Sequence, residues 1–184
     1  MLLSLDISTS CTGYCLFDED ELIDIGYINL SKHKGLFEKA TYVKDRIYRM
    51  SNDYNIDNIV VEENLQAFRP GLSSAKTLMT LAQFNGVVRW ICYEIFDIIP
   101  TAINVNSARK NIGLKINRKN KEKNTKQQVL EWVSSDKPHI KWPTKILKSG
   151  PNKGQERLIN GAYDMADAYV IGKAYFIENS VKTN

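Results

Sequence analysis

Four carboxylates hold the chemistry that stands out in this 184-residue chain. Asp6 closes the apolar run Leu2-Leu3-Ser4-Leu5, and Glu62 follows Ile59-Val60-Val61, so two short strand-like runs each deliver an acid at the carboxyl end. Glu63 is the alternative to Glu62, which is preferred because it directly follows the apolar residues. Asp164 and Asp167 lie three apart in a helical stretch, which places both on one side of it. Like charges so close repel unless a cation sits between them. If that helix crosses the ends of the two strands, the four acids make a set of hard oxygen ligands of the kind magnesium or manganese prefers. Two such ions activate water and stabilise a leaving oxygen in phosphodiester cleavage, so no side-chain nucleophile is needed. Singly, each acid has a plainer reading: an Asp after a strand caps a turn, and Asp164 near a helix start suits the helix dipole. The combination points to a site.

Other catalytic chemistries find little support. His33 and His139 are isolated among polar residues, so neither a His-rich zinc site nor a Ser-His-Asp triad assembles. Cys11, Cys15 and Cys92 form an odd set without a CxxC pair and read as reduced, structural residues.

The net charge of +4 is unevenly spread. Residues 109–126 contain eight basic side chains (Arg109, Lys110, Lys115, Arg118, Lys119, Lys121, Lys123 and Lys126) against Glu122, a local +7 that leaves −3 elsewhere. A belt of this kind is a polyanion footprint, since every phosphate neutralised releases condensed counterion; a solvated loop is the bland alternative. No apolar run reaches the roughly 20 residues of a membrane span, and no charged-then-apolar leader precedes Asp6. The expectation is a soluble, unsecreted protein with no membrane partner, cytoplasmic or in another DNA-containing compartment.

The elements that must position the acids follow from periodicity. Residues 2–6 read as a strand buried on both faces, and 14–17 and 22–28 as two more joined by the acidic turn 18–21. Residues 38–54 carry Ala40, Val43, Ile47 and Met50 at helical spacing. After the strand 59–61, a loop with Phe68, Arg69, Pro70 and Gly71 leads to a helix capped by Ser73 or Ser74 and running to about Phe96. Residues 98–105 read as a strand broken by Pro100, then a short helix capped by Ser107 and ended by Gly113. A helix resumes at 126–133, a long loop or insertion spans 134–160, and a final helix runs from Asn160 to about Glu178. With 43% hydrophobic residues the chain can bury one substantial core, and one domain over 1–184 is expected. The element order predicts an α/β fold, a mixed five-stranded sheet with helices on both faces.

Three stretches resemble a known family in the right order. Leu5-Asp6-Ile7-Ser8-Thr9-Ser10-Cys11-Thr12-Gly13-Tyr14 resembles the first strand and turn of the RuvC-type Holliday junction resolvases of the RNase H-like superfamily. Val60-Val61-Glu62 resembles their second acidic strand, and Asp164-Met165-Ala166-Asp167-Ala168 their closing acidic helix. Ser74-Ala75-Lys76-Thr77-Leu78 is similar to the start of their long helix, and Lys126-Gln127-Gln128-Val129 to their lysine-bearing one. The resemblance implies an RNase H-like fold and a homodimer that nicks four-way DNA junctions, with the dimer contact around Thr77 to Trp90. It implies metal-ligand roles for Asp6, Glu62, Asp164 and Asp167, and a place near the scissile phosphate for Lys126. Phe68 is a candidate for the aromatic wedge, or else a loop anchor, and Arg69 joins the DNA-binding candidates. The stretch 134–160 is longer than the bacterial pattern, a divergence that resembles phage and viral members, some of which cut several branched structures.

Two other readings start from the same residues. Asp6-x-Ser8-Thr9-x-x-Thr12-Gly13 also resembles the phosphate loop of actin-like sugar kinases, but the chain lacks the second phosphate loop and adenosine motif. A non-catalytic DNA-binding module would keep the fold and the basic belt but not an intact acidic set.

Overall fold

Six consecutive buried residues, Leu2–Ile7, form β1, the central strand of the computed structural model, which describes residues 1–63 and 74–182. β2 (Cys11–Asp18) and β3 (Glu21–Asn29) continue the sheet antiparallel on one side of β1, while β4 (Asn58–Glu62) and β5 (Thr101–Ile103) add in parallel on the other. The order is β3-β2-β1-β4-β5, the mixed five-stranded sheet expected from the element order. Because successive side chains on a strand point to opposite faces, β1 feeds two separate layers. Leu3, Leu5 and Ile7 meet α1 (Gly35–Asp53) and α2 (Ala75–Phe96) on one face. Leu2, Ser4 and Asp6 alternate with them and face the layer of α3 (Val105–Asn111), α4 (Thr125–Asp136) and α5 (Asn160–Lys182).

α5 is the most enclosed helix, with Ala162, Ala166, Ala168, Tyr169, Val170, Ile171 and Ala174 fully buried. Small residues let it lie close against the strands. A Cβ on Gly13 of β2 would stand 2.1 Å from the carbonyl oxygen of Asp164, so only glycine permits this crossing. The Ser4 hydroxyl donates to the Ala168 carbonyl, which satisfies a polar side chain within the apolar layer.

The structure corrects several boundaries. The last sheet strand spans only Thr101–Ile103, because Asn104 caps α3 by accepting from the N–H groups of Asn106 and Ser107; Ser107 is not the cap. Gly113, at φ +75°, ends that turn as expected. Ser74 rather than Ser73 caps α2, accepting from the Thr77 N–H at 3.1 Å. α4 begins at Thr125 under a reciprocal capping pair, Asn124 and Gln127. Within 134–160, where composition predicts a loop, β6 (Thr144–Ile146) and β7 (Glu156–Leu158) pair as an antiparallel hairpin. Their strands are three residues long and almost wholly exposed, so they carry no buried-exposed alternation to read. Among the described residues, no helix is long and apolar enough to cross a membrane.

Candidate active site

Parallel pairing of β1 with β4 aligns Leu5 with Val61, so the next residues, Asp6 and Glu62, stand side by side at the carboxyl ends of neighbouring strands. Both point to the α5 layer, by the same alternation that sends Leu5 and Val61 to the other face. Glu63 points elsewhere: its carboxylate accepts from the Asn104 side chain at 3.2 Å. Asp164 and Asp167, on the first turns of α5, complete the group, held down by the Gly13 crossing. Asp6, Asp164 and Asp167 are all less than a tenth exposed.

Burying acids together has a large electrostatic consequence. Burial first, and then the charges of Glu62, Asp167 and Asp164, push the Asp6 carboxyl well above the usual carboxylate range. Glu62 is also raised by burial, although its hydrogen bond with Asp6 pulls the other way. Asp6 and Glu62 are thus both driven toward the neutral form by their burial. Asp167 is raised by burial against the opposing pull of Arg109.

Two cations enter the group. Arg109 Nη2 donates to Asp167 Oδ1 at 3.0 Å, and Lys126 Nζ to Asp164 Oδ1 at 3.1 Å. Burial lowers the Lys126 ammonium, but the pull of Asp164, Asp167 and Asp6 outweighs it and holds the group above its ordinary value. Arg109 is mostly enclosed, whereas Lys126 stays half-exposed. The Cys11 thiol also borders Asp164; burial and that carboxylate push it far up, so it is no nucleophile. All three cysteines are buried and unpaired, in keeping with their spacing.

Among the described residues, no three acidic, histidine or cysteine side chains close around a point tightly enough to form a finished metal cage. The donor set nevertheless fits a hard divalent cation. Four carboxylates face two cationic side chains, which leaves a surplus of negative charge that a divalent cation would offset.

The structure separates the sequence-derived binding residues. Lys110, Lys115, Arg118, Lys119, Lys121 and Lys123 are exposed on the belt, and Lys123 pairs with Glu131 at 2.8 Å. Arg109, which the sequence groups with the belt, turns inward to Asp167 and also borders a groove of about 340 Å³ with Lys110, Lys115 and Arg118. Nothing in the local sequence sets it apart from the belt, because the turn inward depends on how α3 packs against α5. Phe68 and Arg69 lie outside the described residues. The role of Gly13 in seating Asp164 is not legible in the sequence, since a glycine within a strand signals close approach without naming the partner.

No protein-family model matches the chain, and no curated protein matches it by sequence. Solved structures do. The chain aligns with Thermus thermophilus RuvC in complex with a Holliday junction substrate over 99% of its own length and 96% of that chain, at TM-score 0.66 and 14% identity. Another structure of Thermus thermophilus RuvC aligns over the same shares, at TM-score 0.61 and 13% identity. The yeast mitochondrial Holliday junction resolvase Ydc2 aligns over 97% of this chain and 78% of its own, at TM-score 0.54 and 17% identity. The fold is therefore that of the RuvC-type resolvases, the RNase H-like arrangement that the acidic motifs resembled.

Proposed function

We propose that this chain is a divalent-metal-dependent endonuclease that cuts branched DNA, four-way junctions foremost, as one RNase H-like nuclease domain. The observation that carries the reading is the meeting of Asp6, Glu62, Asp164 and Asp167 on the α5 side of a sheet shared with junction resolvases. Asp6, Glu62, Asp164 and Asp167 would hold magnesium or manganese, which when bound supplies Lewis-acid activation of water and charge stabilisation at the phosphate. Arg109 orients Asp167 through its ion pair, and Lys126, half-exposed beside Asp164, is placed to meet a phosphate oxygen. The exposed lysines of residues 110–123 bind the DNA backbone on the side where Arg109 opens to solvent.

The homodimer implied by the resemblance has a candidate surface on the other layer. Phe37, Met79 and Trp90 are 82%, 64% and 57% exposed, and Leu36, Phe37, Val87 and Trp90 line an apolar groove between α1 and α2.

The test is cleavage of a labelled four-way junction in magnesium and in manganese, beside a linear duplex and a flap, by the native chain and by Asp6→Asn. Paired cuts in the junction that vanish in the variant while binding persists support a resolvase; equal cutting of the flap broadens the substrate to branched DNA generally. Binding without cleavage in either metal points instead to a non-catalytic DNA-binding module.

A further inference from the structure

A second basic stretch follows the belt in the sequence. Residues 137–157 hold six basic side chains (Lys137, Lys141, Lys145, Lys148, Lys153 and Arg157) against Glu156, a local +5 in the stretch that forms the β6–β7 hairpin. With the belt at 109–126 set aside as well, the rest of the chain carries −8. Two positive regions on a negative body point to two surfaces selected for one polyanion.

The hairpin does not float free of the site. It faces the start of β2 and the end of β3 across a groove of about 510 Å³, whose lining includes Lys145, Arg157, Tyr27, Tyr163, Cys11 and Asn160. Cys11 touches Asp164, and Tyr163 is its neighbour in sequence, so this groove runs up to the carboxylates. The groove bordered by Lys110, Lys115 and Arg118 reaches the same carboxylates from the side of Arg109. Among the described residues, Lys145 and Arg157 are exposed and have no ion-pair partner, unlike Lys126, Arg109 and Lys123. Two unpaired cations and two tyrosines lining one groove suit a phosphate backbone flanked by sugars or bases.

We infer that the groove between the β6–β7 hairpin and the β2–β3 edge is a second DNA-backbone track, in which Lys145 and Arg157 grip the substrate on the side of Asp164 opposite the basic belt. This rests on the branched-DNA reading above and adds a substrate-positioning surface to it. A strand or arm crossing the carboxylates would then be held on both sides of the scissile bond.

The experiment is anisotropy of a labelled four-way junction with the full chain in EDTA, so that binding is read without cleavage, over a series of salt concentrations. Lys145→Ala/Arg157→Ala should weaken binding about ten-fold and flatten the plot of log affinity against log salt by about two, one for each phosphate that is no longer neutralised. The charge-keeping pair Lys145→Arg/Arg157→Lys should bind within about two-fold of native, which separates charge from hairpin folding. Arg46→Ala/Arg49→Ala, which removes the same charge from α1 on the other layer, should leave the slope unchanged. An unchanged affinity and slope for Lys145→Ala/Arg157→Ala, or an equal loss from the α1 pair, overturns the second track while leaving the nuclease reading standing. Failure of the native chain to bind the junction at all overturns both.

Discussion

The two faces of β1 serve opposite ends. Toward α1 and α2 it presents Leu3, Leu5 and Ile7 to a layer of apolar side chains. Toward α5 it presents Leu2, then Ser4, then Asp6, and every buried carboxylate in the described residues lies on that side. One face buries only apolar side chains, and the other buries acids among them, whose repulsion must be relieved by protons, by Arg109 and Lys126, or by metal. A strand of six residues thus anchors the fold with one set of side chains and brings an acid into the four-carboxylate group with the set between them. Sites that store repulsion in this way trade stability for function.

The sharpest way to break this contrast is Asp6→Asn. Cleavage of the junction should fall by about 10³-fold or more, roughly 4 kcal/mol of transition-state stabilisation, while the melting temperature in EDTA holds or rises because a crowded acid has gone. A variant that loses both activity and stability would show that Asp6 supports the core instead of opposing it.

A matched pair across the sheet comes next. Leu5→Ala should cost about 3 kcal/mol in chemical denaturation and leave cleavage per folded molecule within about two-fold. Gly13→Ala should cost a similar amount, about 3 kcal/mol, by forcing a methyl group against the α5 backbone. It should also lose cleavage, because what moves is Asp164. Equal activity in the two folded variants would break the assignment of chemistry to one face.

How much of this is legible in the sequence follows the same division. The acids at strand ends and the Asp164, Asp167 pair can be read because they interrupt apolar runs whose periods of 2 and 3.6 are strong. Glu62 is preferred to Glu63 for the same reason, and the structure places Glu62 beside Asp6 and Glu63 beside Asn104. What cannot be read depends on packing between distant segments or on features too short to have a period. Arg109 looks like one more belt residue, because nothing local says that α3 turns it toward α5. Asn104 and Ser107 both suit a helix cap, and only the strand end at Ile103 decides between them. The β6–β7 hairpin, exposed along both strands, resembles a loop in every compositional respect, and its lysines have no pattern that sets them apart from loop lysines.

The two ion pairs offer a smaller test within the acidic face. Asp167 and Asp164 are both buried, but Arg109 is mostly enclosed with its partner, whereas Lys126 is half in solvent. Arg109→Ala leaves a buried acid without its counter-charge and should cost about 3 kcal/mol in denaturation. Lys126→Ala breaks a screened pair and should cost under about 1 kcal/mol. Equal losses would mean that solvent reaches Asp167 as freely as Lys126.

The smallest expected effect concerns protons. Asp6, Glu62 and Asp167 are raised above their ordinary values, so near pH 5 the folded chain binds more protons than the unfolded one. Stability from these groups is fully present below about pH 4, the range in which free carboxylates titrate, and is lost as pH rises through their folded values. In EDTA the native chain should therefore be less stable at pH 8 than at pH 5, by on the order of 1 kcal/mol. Asp6→Asn should show a shallower decline, since it removes the group that burial and three neighbouring charges raise. Manganese competes with protons for the same oxygens, so it should raise the melting temperature of the native chain more at pH 8 than at pH 5. The variant, with one ligand fewer, should respond less at both. A native chain whose stability climbs from pH 5 to pH 8 in EDTA would show that the acids on the α5 face are solvated and independent, and the contrast between the two faces would then reduce to one of exposure.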